Sequence, residues 1–205
     1  MNLPLWSFAA LIFVPTVAAA DAVSSLKAKL DEMQSLSGNF KQTMSDNTGV
    51  QIQKSSGEFH LKRPGYFLWQ SQEPFAQTVL GTPDKLWIYD PDLEQVTVQP
   101  RTPEQKNNPA SLLAGDLEQL RAAFAVSESG TRDSVTYELK PLDSHSSYKT
   151  VEFVFVKGAL QELAFLDKLD QTTQIQFDQV KLNPPLAADV FKFTPPPGTD
   201  VIVDE

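Results

Sequence analysis

The sequence contains no cysteine, only two histidines and fewer basic than acidic residues. Without cysteine there is no disulfide framework, and two histidines do not suffice for a metal cluster of the usual nitrogen and sulfur ligands. The 17 Lys and Arg against 26 Asp and Glu give a formal net charge of -9. This balance argues against nucleic acid and anionic lipid headgroups as partners, because both select clustered basic residues.

Long hydrophobic runs are confined to the first twenty residues. The apolar run over residues 5–14 is too short to span a bilayer, and Ala18, Ala19 and Ala20 supply the small residues of a cleavage site. We therefore expect residues 1–20 to be a cleaved signal peptide, with a buried strand or helix as the alternative. We expect the exported chain to be one soluble domain over residues 21–205, and roughly 185 residues can bury enough surface to fold without disulfides.

The hydrophobic pattern changes from helical to alternating along the chain. Spacing of three and four residues predicts an amphipathic helix over residues 21–36, with its apolar stripe at Val23, Leu26, Leu30, Met33 and Leu36. Alternation then predicts antiparallel strands between residues 38 and 99. Two short helices are expected within residues 109–124.

Further strands are predicted after these helices, over residues 135–139, 149–156, 160–166 and 172–182. Pro195, Pro196 and Pro197 are expected to end any strand ladder. A long antiparallel sheet with helices on one side is typical of an α+β domain.

Aromatic residues are concentrated on the predicted strands. The chain has 13 Phe, 3 Trp and 4 Tyr. These side chains either fill an ordinary core or line a cavity, because a few short helices cannot cover the whole inner face of such a sheet. The pattern leaves both possibilities open.

Catalytic residues are not evident. Residues 143–147 include the Asp, Ser and His of a hydrolase triad, but sequence neighbours rarely reach triad geometry, so a polar loop is favoured. Asp90 and Asp92 flank a proline, and a turn explains them better than a cation site. No phosphate-binding glycine loop is present, and neither enzyme activity nor a cofactor is predicted.

Three stretches together resemble one known family. They are GxFxLKRPGxFxW over residues 57–69, LWIYDPDLEQV over residues 86–96 and FKFTPPPG over residues 191–198. These motifs are similar to those of the outer-membrane lipoprotein carrier family (LolA type). The resemblance implies an unclosed, half antiparallel β-barrel whose apolar cavity is covered by a lid of short α-helices.

The resemblance also implies a function. A periplasmic chaperone of this type receives acylated lipoproteins from an inner-membrane ABC transporter, shields their acyl chains and delivers them to an outer-membrane receptor. The receptor itself requires an acylated cysteine, which this chain lacks. A lipid-sensing or lipid-binding half-barrel without transfer activity remains an alternative, as does a periplasmic hydrolase using His145. A monomer is the simplest expectation.

Site residues follow from the same resemblance. From the residues alone, a solvated Arg63 beside a turn is favoured over an inward-pointing one. The resemblance instead implies that Arg63 holds the lid shut by hydrogen bonds to backbone groups of the lid helices. The lid is expected to comprise residues 22–36 and 109–124. Phe67 is expected near the cavity mouth. Lid residues are Leu26, Leu30, Leu112 and Leu113, and the cavity is expected to be lined by Phe40, Phe59, Leu61, Phe67, Trp69, Trp87, Tyr89, Phe153, Phe155 and Phe165.

Overall fold

The computed structural model describes residues 19–101, 113–114 and 122–204, with side chains from residue 22 onward. These residues contain helix α1 (Ala19–Asp31), twelve β-strands and a short 3-10 helix over Ala188–Phe191. The strands are β1 (Ser35–Ser45), β2 (Gln51–Lys62), β3 (Tyr66–Glu73), β4 (Gln77–Gly81), β5 (Lys85–Asp90), β6 (Gln95–Pro100), β7 (Phe124–Gly130), β8 (Ser134–Pro141), β9 (Tyr148–Val156), β10 (Ala159–Asp167), β11 (Thr172–Leu182) and β12 (Asp200–Val203).

All twelve strands form one unclosed sheet, in the order β12-β6-β5-β4-β3-β2-β1-β11-β10-β9-β8-β7. Neighbouring strands are antiparallel except β12, which runs parallel to β6. The predicted mostly antiparallel, unclosed sheet is therefore confirmed, whereas the expected end of the ladder at the three prolines is wrong. Strand β12 pairs with β6 after those prolines because residues 200–203 again offer backbone N–H groups to a sheet edge.

The inner face of the sheet carries the main core. Alternate residues of β1, β2 and β3 point to this face, where Phe40, Phe59 and Phe67 are buried. Helix α1 packs on the same face through Leu26 and Leu30, which belong to the same buried cluster. Its apolar stripe was predicted from the 3.6-residue period, and burying such a stripe is what stabilises a helix of this length.

The outer face has a second, smaller apolar layer. Leu80 and Val96 are almost fully buried there, although they lie outside the main cluster. The chain after β11 covers them, with the ring of Phe191 packed 5.6 Å from that of Tyr66. Both faces of β3 to β6 are consequently apolar.

Two predicted helix boundaries are wrong. Helix α1 ends at Asp31, and Leu36 lies in β1, where it pairs with Leu61 of β2 and Leu182 of β11. Phe124 begins β7 instead of ending a helix, although residues 113–114 and 122–123 are helical. The rest of the predicted second lid segment, including Leu112, lies outside the described residues.

No helix within the described ranges is long and apolar enough to cross a membrane.

Candidate functional site

An aromatic cluster occupies the inner face near the middle of the sheet. The rings of Phe40 and Trp69 lie 4.0 Å apart between centroids, and Phe59 lies 5.7 Å from Trp69. Phe177 of β11 completes the group at 5.1 Å from Phe59. The sheet register brings these residues together, since Phe59 pairs with Trp69 and Phe40 pairs with Phe177. Three of the predicted cavity residues therefore share one surface.

The other half of the inner face lies beneath helix α1. Phe153, Phe155 and Phe165 are buried there, in the same cluster as Leu26 and Leu30. The protein's own side chains thus occupy the interior that the resemblance assigns to ligand. Large apolar groups with almost no exposure are the chemistry needed to shield hydrocarbon from water.

Polar contacts fix α1 above this surface. The hydroxyls of Ser25 and Tyr137 are 2.7 Å apart, and burial raises the pKa of Tyr137, partly opposed by that hydrogen bond. The ammonium group of Lys29 lies 5.5 Å from the centroid of the Phe155 ring, within cation–π range. Both contacts hold α1 over this surface.

The turn formed by Arg63, Pro64 and Gly65, hereafter the Arg63 turn, contacts both segments that cover the core. Arg63 Nε donates to the Met33 carbonyl at 3.0 Å, and its backbone N–H donates to the Gln34 carbonyl at 2.9 Å. The Gly65 N–H donates to the Ala114 carbonyl at 2.6 Å. A single turn therefore binds the chain just after α1 and the buried helical pair at residues 113–114.

The guanidinium of Arg63 is largely removed from water. Burial lowers its pKa to about 10, and the carboxylate of Asp31 opposes this shift. The side chain is therefore still a cation at neutral pH, and hydrogen bonds from a charged donor are stronger than those between neutral groups. The solvated position favoured by the residues alone is wrong, because β2 directs Arg63 to the same side as Phe59 and Leu61.

Arg101 is a neighbouring contact that the sequence did not identify. Its Nη1 donates to the carbonyls of Gly65 and Thr82, both at 2.9 Å. Its guanidinium lies 5.5 Å from the centroid of the Phe67 ring, and burial lowers its pKa. Arg101 thereby fixes the Arg63 turn against the β4–β5 turn.

Asn183 was also missed, and it holds the segment between α1 and β1 from the opposite side. Its Oδ1 accepts from the N–H groups of Gln34 and Ser35 at 2.9 and 3.2 Å, and its Nδ2 donates to the Glu32 carbonyl at 2.9 Å. In the sequence, the local sign of a special position is that two prolines follow Asn183. In the structure, Asn183 has a positive φ of 53°, which asparagine tolerates better than most residues.

The predicted positions of Trp87 and Tyr89 in the cavity are wrong. Leu86 belongs to the inner core and Ile88 packs against it, so the alternate residues Trp87 and Tyr89 face outward. The Tyr89 ring lies 5.5 Å from that of Phe193, in the chain that covers the outer face. By contrast, Leu61 and Phe67 face inward and are buried in the main core.

The triad-like stretch forms a surface turn. Asp143 Oδ1 accepts from the backbone N–H of His145 at 2.8 Å, and the side chains of Asp143 and His145 are 71% and 92% exposed. The hydrogen bonds from His145 lower the pKa of Asp143. The other histidine, His60, is half-buried, and among the described residues its Nδ1 has no hydrogen-bond partner.

These features define a class: an open β half-barrel with an aromatic inner face and a helix held over it. The sequence matches the family described as "Outer membrane lipoprotein carrier protein LolA" over residues 31–194. The outer-membrane lipoprotein carrier protein of Pseudomonas aeruginosa is 36% identical over 95% of this chain and 95% of that protein. Its counterpart from Azotobacter vinelandii is 36% identical over 97% of this chain and 96% of that protein.

A solved structure agrees with this fold. The crystal structure of an uncharacterized conserved protein from Thermus thermophilus superposes with a TM-score of 0.54 at 10% identity, covering 91% of this chain and 100% of that one. That likeness supports the architecture alone, whereas the sequence relatives identify the family. The chain belongs to the LolA family of outer-membrane lipoprotein carriers.

Proposed function

We propose that this protein takes up the acyl chains of lipoproteins by exchanging them for its own lid side chains. Leu26, Leu30 and Leu113 are buried against the aromatic inner face. In this proposal α1 and residues 113–114 belong to the lid, which moves aside when acyl chains enter. The protein acts by binding, without catalysis.

Exchange of one apolar burial for another explains how such a carrier can release its cargo. Burying a methylene group is worth about 0.8 kcal/mol, so several acyl chains bound to an empty cavity would gain tens of kcal/mol. A carrier that gained all of this could not release its cargo. If lid side chains occupy the interior first, the net affinity is a difference between two burials and can be small.

The Arg63 turn is the single observation that carries the proposal. It holds the chain after α1 through Met33 and Gln34, and the second covering segment through Ala114. Opening the lid requires breaking these hydrogen bonds. Contacts of a charged donor such as Arg63 contribute about 1.5–3 kcal/mol, which is enough to bias a lid without locking it.

The proposed cargo defines the proposed partners and location. Acylated lipoproteins would be received from an inner-membrane ABC transporter, carried across the periplasm and delivered to an outer-membrane receptor. The names of the relatives, outer-membrane lipoprotein carriers, support this route. An N-terminal signal peptide ending at Ala20 would export the chain.

The test is a release assay with Arg63→Leu. Inner-membrane vesicles from the source organism, holding an acylated lipoprotein, are incubated with ATP and purified protein, and the soluble lipoprotein is measured. Delivery is then measured by adding outer membranes. We expect Arg63→Leu to change loading or delivery at least tenfold because its lid contact is lost.

Arg132→Leu is the matched control, since Arg132 is an exposed arginine in the β7–β8 turn. It should transfer at the wild-type rate. Equal transfer by Arg63→Leu and wild type would contradict the role of Arg63. If the folded wild type releases no lipoprotein from active membranes, the transfer function itself fails, and lipid binding without transfer becomes the better account.

A further inference from the structure

Arg101 contacts three neighbouring parts of the chain at once. Its Nη1 donates to the carbonyl of Gly65 in the Arg63 turn and to that of Thr82 in the β4–β5 turn, both at 2.9 Å. Its guanidinium also lies 5.5 Å from the centroid of the Phe67 ring, within cation–π range. One planar cation therefore joins two turns to an aromatic side chain of the inner face.

Both backbone groups of Gly65 are engaged. Its N–H donates to the Ala114 carbonyl at 2.6 Å, while its own carbonyl accepts from Arg101. Gly65 also lies against the β4–β5 turn, since a Cβ atom there would be 3.3 Å from the Cα of Pro83. A shift of Gly65 relative to Arg101 would therefore also disturb its hydrogen bond to Ala114.

Phe67 connects this arrangement to the apolar interior. It follows Gly65 by two residues and is buried in the same core cluster as Leu113 and Ala114. In the proposed function the lid parts from the Arg63 turn. An acyl chain that enters beside this turn must therefore contact the Phe67 ring.

Arg101 is suited to sense such a change at the ring. Its side chain is half-buried, and burial lowers its pKa, but an arginine remains a cation at neutral pH. Water competes less for a partly buried cation, so its contacts with carbonyls and with the ring are stronger than on an open surface.

We propose that Arg101 is a positioning residue that couples the Phe67 ring to the lid contacts of the Arg63 turn. With the ring in place, Arg101 keeps Gly65 where its N–H reaches Ala114, and the lid stays closed. When an acyl chain displaces the ring, Arg101 loses one contact and the bond from Gly65 to Ala114 weakens. The proposal rests on the lid exchange proposed above. Because coupling is reciprocal, cargo makes the lid easier to open, and a closed lid disfavours cargo.

The first test measures amide hydrogen exchange by NMR in the empty protein. Arg101→Met removes the cation and keeps most of the apolar stem. Exchange at Gly65 should speed up roughly tenfold more than exchange at Phe153 in the middle of the sheet, because the Gly65 bond opens locally. Phe153 reports any loss of global stability. Arg132→Met, at the exposed arginine of the β7–β8 turn, is the matched control and should change neither rate.

A double-mutant cycle tests the link through the ring. Phe67→Leu alone should also speed exchange at Gly65 relative to Phe153, because the cation–π contact is lost. Arg101→Met should then add a smaller factor in the Phe67→Leu background than in wild type. The same factor in both backgrounds would show that Arg101 and Phe67 act independently, which would overturn the coupling.

The release assay tests the consequence for transfer. A less stable closed lid raises the net affinity for acyl chains, so Arg101→Met should slow delivery to outer membranes roughly fivefold without slowing loading. Arg132→Met should deliver at the wild-type rate. Delivery by Arg101→Met at the wild-type rate, or equal changes in exchange at Gly65 and Phe153, would overturn the proposal.

Failure of the proposed function gives a different result. If the folded wild type releases no lipoprotein from active membranes, the transfer function fails. The exchange measurements need no cargo, so they still decide whether Arg101 positions the Arg63 turn.

Discussion

Arg63 and Asn183 hold the same short segment from opposite sides. Arg63 binds the carbonyls of Met33 and Gln34, while Asn183 binds the backbone of Glu32, Gln34 and Ser35. This segment joins α1 to β1, so any movement of α1 away from the sheet must pivot there. Asn183 lies at the end of β11 and thereby fixes the pivot to the centre of the sheet.

Replacing Asn183 with Ala should destabilise the protein by about 1–3 kcal/mol, because three hydrogen bonds are lost and alanine disfavours a positive φ. Denaturant unfolding measures this change. Asn183→Gly separates the two causes, since glycine accepts the backbone conformation but not the hydrogen bonds. Asn47→Ala, in the exposed β1–β2 turn, is the neutral control. If Asn183→Ala unfolds like wild type, the segment does not depend on this contact.

Strand β4 supplies the space that Phe67 needs. Gly81 pairs with Phe67 across β3 and β4, and a Cβ atom at Gly81 would lie 2.1 Å from a carbon of the Phe67 ring. The ring therefore lies over the glycine backbone and cannot be accommodated beside a side chain. A glycine inside a strand is often explained by such a close approach.

We expect Gly81→Ala to cost about 1–3 kcal/mol, the usual range for overpacking a core. The cost should fall in a Phe67→Leu background because the smaller side chain leaves room. A double-mutant cycle of unfolding free energies measures this coupling. An equal cost in both backgrounds would show that the Phe67 ring is not what Gly81 accommodates.

Alternation of polar and apolar residues was sufficient to predict most strands, but not which face each aromatic residue occupies. The run Leu86, Trp87, Ile88 and Tyr89 is apolar throughout, and the structure covers both of its faces. Period-two patterns identify the inner face only when the other face is polar. The two wrongly predicted cavity residues belong to this run.

The other wrong or missed predictions concern contacts between residues that are far apart in the sequence. Met33 and Leu36 continue the helical spacing of α1, yet Leu36 is in β1 because both neighbouring strands pair with it. Asn183 contacts residues about 150 positions away, which no local pattern reveals. Arg63 could be assigned its position only through the family resemblance, since a turn beside Pro64 equally suits a solvated arginine.

At the scale of the whole molecule, the sheet has its lid contacts at one end and a filled interior. The Arg63 turn and Asn183 lie at that end, and α1 covers the inner face of the sheet. In the proposed function, lid opening and acyl-chain binding use different residues. They can therefore be disabled one at a time.

In the proposed function, acyl chains displace α1 from the inner face. Because the native chain has no cysteine, spin labels can be attached to two engineered cysteines, Ala28→Cys on α1 and Gln174→Cys on β11, both at exposed positions. Electron–electron double resonance then measures the distance between them in the empty protein and in its purified complex with an acylated lipoprotein. We expect a longer and broader distance distribution in the complex, and an unchanged one with the same lipoprotein lacking acyl chains. An unchanged distance in the acylated complex would contradict the account, because the cargo would then be bound without moving the lid.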